Sequence, residues 1–276
     1  MTAEESDSGF ALVAVLCWAI LLSLCASTIL EISKSQADDV KSEAMIASLK
    51  GAADAAIGRT LLALIVPNSK TLLAVDGTPA TVNIDGVDIC VKVNDESGKI
   101  DLNYASRPTL VAALRSIGLS HEDAESGADK ILDWREPGDL RRLNGGKRDD
   151  YYRLGYNYGP RQALFRSVGE LKLVMGFNDD LLARLEPMLT IFSQGSEVDA
   201  ALAIPALSAA IRSPTTSTSF ASYSITASSA LAARRLVGHA FTVLARAKSS
   251  GYTSSRSAVV RISGNSNQPI WIYKWE

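Results

Sequence analysis

Residues 9–30 read GFALVAVLCWAILLSLCASTIL, and from Phe10 to Leu30 there is no charged side chain. That is 21 residues counted inclusively. In a helix they reach across the hydrocarbon core of a bilayer, and a helix satisfies its own backbone groups there. The stretch is therefore read as a membrane span. A cleaved secretory signal would have a basic start, a shorter apolar run and a small-x-small cleavage site. Ala26-Ser27-Thr28 offers the small residues, but the start is acidic (Glu4, Glu5, Asp7) and the run is long. A span outweighs both that reading and a plain buried helix.

The helical pattern does not stop at the end of the apolar run. Ala37, Val40, Ala44 and Ala47 follow helical spacing, and Ile46, Leu49, Ala53, Ile57, Leu61 and Leu64 continue it on a neighbouring stripe. Pro67 and Asn68 end it. One helix over 10–66, with 10–30 in lipid, would run roughly 80 Å between Phe10 and Leu64. Its second half is expected to pack on a folded domain.

Beyond that helix, Ala80, Val82, Ile84 and then Val87, Ile89, Val91, Val93 alternate with polar residues, the period of half-buried strands. Asp85-Gly86 between them is a hairpin signal. The sequence predicts a β region over 78–103. From 104 to 212 it turns helical. Pro108 suits the first turn of a helix over Arg107 to Leu119, closed by Gly118. Ser120, with Asp123 three residues on, caps the next helix, in whose first turn His121 falls. Ser167 is expected to cap a helix from Val168 to Met175, and Asn178 one from Asp179 to Leu185, ended by Pro187. Ala200 to Ile211 reads as a further helix. Ser213 to Ser219 is a polar linker. The region 213–276 returns to strands over Phe220–Ala227, Val237–Ala247, Ala258–Ile262 and Ile270–Trp275, although Leu231 to Ala247 also fits a helix.

The N-terminal layout resembles the type IV pilin and pseudopilin superfamily. There a prepilin peptidase cuts after a leader glycine and methylates the new N-terminus. By that resemblance residues 1–9 are a leader, Gly9 precedes the cut and Phe10 becomes the methylated first residue. Most members carry Glu at the fifth mature position, and here that position is Ala14. Family leaders also carry Lys or Arg where this one is acidic, so the usual positive-inside signal is missing.

A second resemblance lies further on. Asp95-Glu96-Ser97-Gly98-Lys99-Ile100-Asp101-Leu102-Asn103, Ile131-Leu132-Asp133-Trp134-Arg135-Glu136, Phe165-Arg166-Ser167-Val168-Gly169-Glu170-Leu171 with Val174-Met175-Gly176, and Leu185-Glu186-Pro187-Met188-Leu189-Thr190 occur in that order. They resemble the motifs of general secretion pathway protein K, the minor pseudopilin K of type II secretion. The resemblance implies an α+β, pilin-like fold. A long membrane-spanning helix lies on an antiparallel sheet, and a mostly α-helical domain is inserted into it. It also implies a tip subunit that initiates pseudopilus assembly for protein export across the outer membrane. The implied partners are the other minor pseudopilins, the major pseudopilin, the prepilin peptidase and inner-membrane lipid. The implied location is a single pass in the bacterial inner membrane with the folded part in the periplasm. Two other readings remain: a minor pilin of a related type IV filament, and a membrane-tethered periplasmic module that binds substrate or calcium.

Composition bounds the chemistry. Lys and Arg total 28 against 30 Asp and Glu, so nothing suggests nucleic-acid binding, which needs a basic face. Cys17 and Cys25 lie eight residues apart on one helix, too far to bridge, and Cys90 is alone in a strand, so no disulfide framework is expected. His121 and His239 are the two histidines; His239 reads as a strand residue. No nucleophile elbow and no glycine-rich phosphate loop is present. No catalytic or cofactor residue is assigned, and the chain is not read as an enzyme. Asp133, Glu136, Asp139, Asp149 and Asp150 are oxygen donors of the kind calcium takes, and some relatives bind calcium in the helical block. The same segment carries Arg135, Arg141, Arg142, Lys147 and Arg148, so an ion-pair network outweighs a metal centre.

Overall fold

The computed structural model describes residues 5–66, 74–211 and 236–276. Its spine is helix α1, Glu5–Ile65. Leu49, Ala53, Ala56, Ile57, Leu61 and Leu64 are all buried, while Val40, Ile46 and Ala47 are exposed. The buried stripe is therefore the one running through Leu49 and Leu64, and only the second half of α1 has a protein partner. That partner is a five-stranded antiparallel sheet.

Strands β1 (Ala80–Ile84) and β2 (Val87–Asp95) form the expected hairpin. Asp85 and Gly86 both take positive φ, 49° and 83°, as a two-residue turn matched to strand twist requires. Strands β5 (Ala240–Ser249), β6 (Tyr252–Asn265) and β7 (Gln268–Trp275) complete the sheet in the order β1-β2-β5-β6-β7. Ile89, Val91, Val93, Phe241, Val243, Ala245, Ala258 and Val260 pack under α1. The small residues Ala53 and Ala56 on the helix, and Ala245, Ala247 and Ala258 on the strands, let the two layers approach closely.

The contacts fix polarity. Ser42 meets Tyr252, at the start of β6, with 2.7 Å between hydroxyls, and Asp54 meets Arg256 at 2.7 Å. Going along β6 therefore means going along α1 away from its apolar half. At the far end Asp95 pairs with Phe241, and the chain leaves β2 and later enters β5. Everything between these strands hangs on that distal end.

That intervening block has its own core. Helices α2 (Arg107–Ser116), α3 (His121–Arg135), α4 (Arg148–Arg153), α5 (Asp179–Leu185) and α6 (Pro205–Ile211) surround Leu110, Leu114, Ile131, Trp134, Tyr151, Leu171 and Leu185. Strands β3 (Ile100–Asp101) and β4 (Leu189–Thr190) form a small parallel pair inside it. Ser106, Ser120 and Asn178 cap their helices, each accepting a backbone N–H three residues on.

Several sequence expectations change. Of the β region over 78–103, the sheet keeps only the part to Asp95; Ile100 and Leu102 are buried in the helical core instead. Residues 168–173 form a 3-10 turn, and Ser167 makes no side-chain cap. The neighbouring Glu170 is committed to other partners, and Val174 leaves the turn in extended conformation. The helix expected over 200–211 begins only at Pro205, whose ring fixes a first turn but cannot continue an earlier one. The ambiguous stretch is strand from Ala240, while its residues 231–235 lie outside the described ones, as do Pro67, Asn68 and the strand expected over 220–227. His239 precedes β5 rather than lying in a strand.

Candidate assembly interface

The quoted motifs turn out to hold one another. Trp134, 3% exposed, donates from Nε1 to Glu170 Oε1 at 3.0 Å. Glu170 also accepts from Arg161 at 3.1 Å and from the Arg166 backbone at 2.8 Å. The Trp134 ring lies against Phe165 and Tyr151, with centroids 6.2 and 6.0 Å away. Asn103 clasps the Phe165 backbone: its Oδ1 accepts the amide at 2.6 Å and its Nδ2 donates to the carbonyl at 3.1 Å. Asp101 accepts from Asn103 and Gln194 backbone N–H groups, both at 2.8 Å. Burial still pushes the Asp101 carboxyl above the usual carboxylate range. Arg135 donates to the carbonyls of Leu102 and Ala105 at 2.7 and 2.8 Å, and burial pulls its guanidinium down. Residues distant in sequence thus form one scaffold whose polar groups are matched internally.

A second cluster ties that scaffold to the sheet. Asp95, nearly fully buried, caps the turn at Ser97 and meets His239 Nδ1 at 2.7 Å. The hydrogen bond to Asp95 raises the His239 pKa, with burial opposing. Glu96 takes Lys99 at 2.8 Å and Thr242 Oγ1 at 2.7 Å. Arg261 on β6 donates to the carbonyls of Phe192 and Ser193 at 2.9 and 3.2 Å. Tyr273 on β7 stacks on Phe192 with centroids 5.5 Å apart. Sequence reasoning missed His239 and Arg261 as seam residues; His239 and Asp95 are 144 positions apart, and only the Asp95-Glu96 motif gave a local signal.

Of the acidic residues that suit calcium, Asp133, Glu136, Asp139 and Asp150 are held by cations and amides. Asp133 is buried, accepts the Arg142 backbone N–H at 3.1 Å and lies 3.9 Å from Lys147 Nζ. Burial raises its pKa, opposed by the Arg142 amide and the Lys147 charge. Glu136 pairs with Arg142 at 2.7 Å, and Asp150 with Arg141 and Arg153 at 3.1 and 2.8 Å. Asp139 accepts from Gln162, and Asp149 lies exposed at the start of α4. Among the described residues, no group of three or more His, Cys, Asp or Glu side chains could hold a metal ion. Cys17, Cys25 and Cys90 are free.

Among the described residues, two extended apolar surfaces are uncovered. The apolar side chains of residues 12–28, including Leu12, Val15 and Trp18, stand 52–69% exposed where they are large. Among the described residues no helix is long and apolar enough to cross a membrane; the stretch proposed to span, 10–30, extends past the described side chains at both ends. Gly9 and Phe10 lie within α1, with the Phe10 side chain outside the described set. The other surface is the edge strand β7, where Trp271, Ile272 and Tyr273 are 51, 59 and 44% exposed.

A long helix thus lies on an antiparallel sheet, with a helical block interposed at the sheet's distal end. Residues 90–194 match the family described as Type II secretion system (T2SS), protein K. The chain matches that family over 105 of its 276 residues. Its fold is similar to a chain in the crystal structure of the GspK-GspI-GspJ complex from the type 2 secretion system of enterotoxigenic Escherichia coli. The identity is 12%, the TM-score 0.53, and the likeness covers 88% of this chain and 98% of that one. No curated protein sequence matches significantly.

Proposed function

We propose that this chain is the minor pseudopilin that caps a type II secretion pseudopilus and starts its assembly. The observation that carries the reading is the placement of the protein K domain at the end of α1 opposite its apolar half. A block there would collide with any subunit stacked above it in a filament whose subunits align their helices. Ala14 supports the same end position. An ionisable side chain within a membrane costs about 2.5–3.5 kcal/mol on insertion scales and is retained where a partner neutralises it. A terminal subunit has no neighbour above to make that pairing useful.

In this reading residues 1–9 are a leader removed by a prepilin peptidase, 10–66 the long helix with 10–30 in the inner membrane, and 78–95 and 213–276 the flanks of a periplasmic pilin-like domain. The inserted helical domain is 104–212, joined by 96–103, whose Ile100 and Leu102 pack in its core. The structural relative comes from a complex with GspI and GspJ, and the corresponding two minor pseudopilins are the proposed partners here, with the major pseudopilin below. Mass spectrometry of the mature chain should find a methylated Phe10, and co-expression should recover both partners. Cleavage near Ser27, or no association with the apolar helices intact, overturns the proposal.

A further inference from the structure

The loop joining α3 to α4 carries the two most exposed large apolar side chains of the described residues, Leu140 at 91% and Leu143 at 89%. Both exceed any described side chain of the apolar half of α1. The loop is nevertheless tightly held. Arg142 N–H donates to buried Asp133, Asn144 N–H to Asp129 at 3.3 Å, and Gln162 to the Gly138 carbonyl at 3.2 Å. Lys147 reaches the carbonyls of Asp133 and Glu136 at 3.1 and 3.3 Å. At Gly145 an added Cβ would sit 2.0 Å from the Asp133 carboxylate, so the backbone passes directly over that buried acid. The loop base is pinned by hydrogen bonds on both flanks, and the two leucines project from it.

Over residues 136–153 cations outnumber carboxylates by one, Arg141, Arg142, Lys147, Arg148 and Arg153 against Glu136, Asp139, Asp149 and Asp150. Arg141 and Arg153 share the single carboxylate of Asp150, and Arg148 lies exposed on the next helix over the Tyr152 ring. The immediate neighbours Pro137, Gly138, Asp139 and Asn144 are exposed, so the leucines form prongs and not part of a continuous apolar face. A stable protein interface asks for roughly 1,200 Å² or more of well-packed surface. Insertion into a lipid interface asks only for protruding apolar groups with cations at headgroup depth.

We propose that this loop is a lipid-contacting tip: Leu140 and Leu143 enter the interfacial region of an anionic bilayer, and Arg141, Arg148 and Arg153 lie among its headgroups. Because the block sits at the end of α1 away from the apolar half, the surface contacted is a second membrane, distinct from any that holds α1. The rigidity of the loop lowers the ordering cost of contact.

The test uses the full chain loaded into lipid nanodiscs through α1 and mixed with protein-free vesicles of phosphatidylcholine containing one quarter phosphatidylglycerol. Discs should float with the vesicles. The double variant L140S/L143S should lower the bound fraction about tenfold or more, because two leucines no longer enter the interface. R141Q should weaken binding to the anionic vesicles and leave the much weaker binding to pure phosphatidylcholine unchanged. Both leucines project into water, so folding should be untouched, which near-ultraviolet circular dichroism verifies. Equal flotation of wild type and L140S/L143S overturns the proposal. So does a wild type that ignores vesicles, which would leave a protein pocket as the occupant of the prongs.

Discussion

Replacing Trp134 by Ala should unfold the helical block while sparing the sheet. The indole is 3% exposed and is lined by Phe165, Tyr151 and Tyr158, with ring centroids between 6.0 and 6.5 Å. Truncating a buried Trp to Ala costs about 3–5 kcal/mol through lost transfer energy and the void left behind. Lost aromatic pairing adds about 0.5–1.5 kcal/mol per pair on top of area burial, some of which that range already contains. The polar penalty is small, because Glu170 keeps Arg161 and the Arg166 amide. A loss of about 4 kcal/mol is thus expected, a large share of the roughly 5–15 kcal/mol that holds a typical domain. The two apolar cores share no residue: Trp134 belongs to one, while α1 and the sheet form the other. Hydrogen exchange read by mass spectrometry on the full chain can separate them. Peptides of α2 and α3 should lose protection by that amount, and peptides of β5 and β6 should keep theirs. Trp134→Phe, which retains a ring but not the N–H donor, should cost about 1–2 kcal/mol. A loss below about 1 kcal/mol for the Ala variant, or equal loss in strand peptides, would refute the separate-core reasoning.

Three further outcomes follow from local geometry. The hydrogen bond to Asp95 raises the folded-state pKa of His239 above the ordinary value of 6.5, so the protonated pair stabilises the seam below that pH. The contribution should fade as pH rises through the folded-state pKa, and His239→Gln should flatten that part of a stability-against-pH curve measured by thermal melting. Gly86→Ala should cost about 1 kcal/mol in chemical denaturation, because φ is 83° there and nothing lies within reach of the added methyl to clash or compensate. Asp54→Ala removes an acceptor shared by Arg256 at 2.7 Å and Trp275 Nε1 at 2.8 Å. It should loosen β7 from α1 by about 1–2 kcal/mol, visible as faster exchange in the 268–275 peptide.

What the sequence disclosed and what it hid divide along a physical line. Periodicity and turn chemistry are local, so the α1 stripe through Leu49 and Leu64 and the Asp85-Gly86 hairpin could be read directly. Cap chemistry was legible where the Ser or Asn side chain had no better partner, as at Ser120 and Asn178. It misled at Ser167, where Glu170 is drawn off to Trp134 and Arg161 and the backbone tightens into a 3-10 turn. Ile100 and Leu102 alternate with polar residues as β2 does, but one residue out of phase with it after the turn at Glu96–Gly98, and nothing in their own sequence says which core they join. That choice is decided by β4, almost ninety residues later, which pairs with them in parallel. His239 looked like a strand residue because its partner, Asp95, lies on the other side of the inserted block. The carboxylates from Asp133 to Asp150 were ambiguous for a different reason: the residue types fit either a cation site or ion pairs. Only the positions of Arg141, Arg142, Lys147 and Arg153 show how the charges are matched.

The motifs that resemble the protein K family include, in this structure, residues that join separate parts of the chain. Asp95 and Glu96 reach His239 and Thr242 across the seam, Asn103 clasps Phe165, and Trp134 reaches Glu170. Such residues fix how the helical block sits on the sheet, which is what a subunit needs if its shape decides what can stack on it. The surfaces left uncovered are of another kind: the apolar half of α1, the β7 edge and the leucine prongs. Polar groups are matched at the junction, and large apolar side chains are exposed on the first half of α1, along β7 and at the loop after α3; exposed apolar patches of this kind mark contact surfaces.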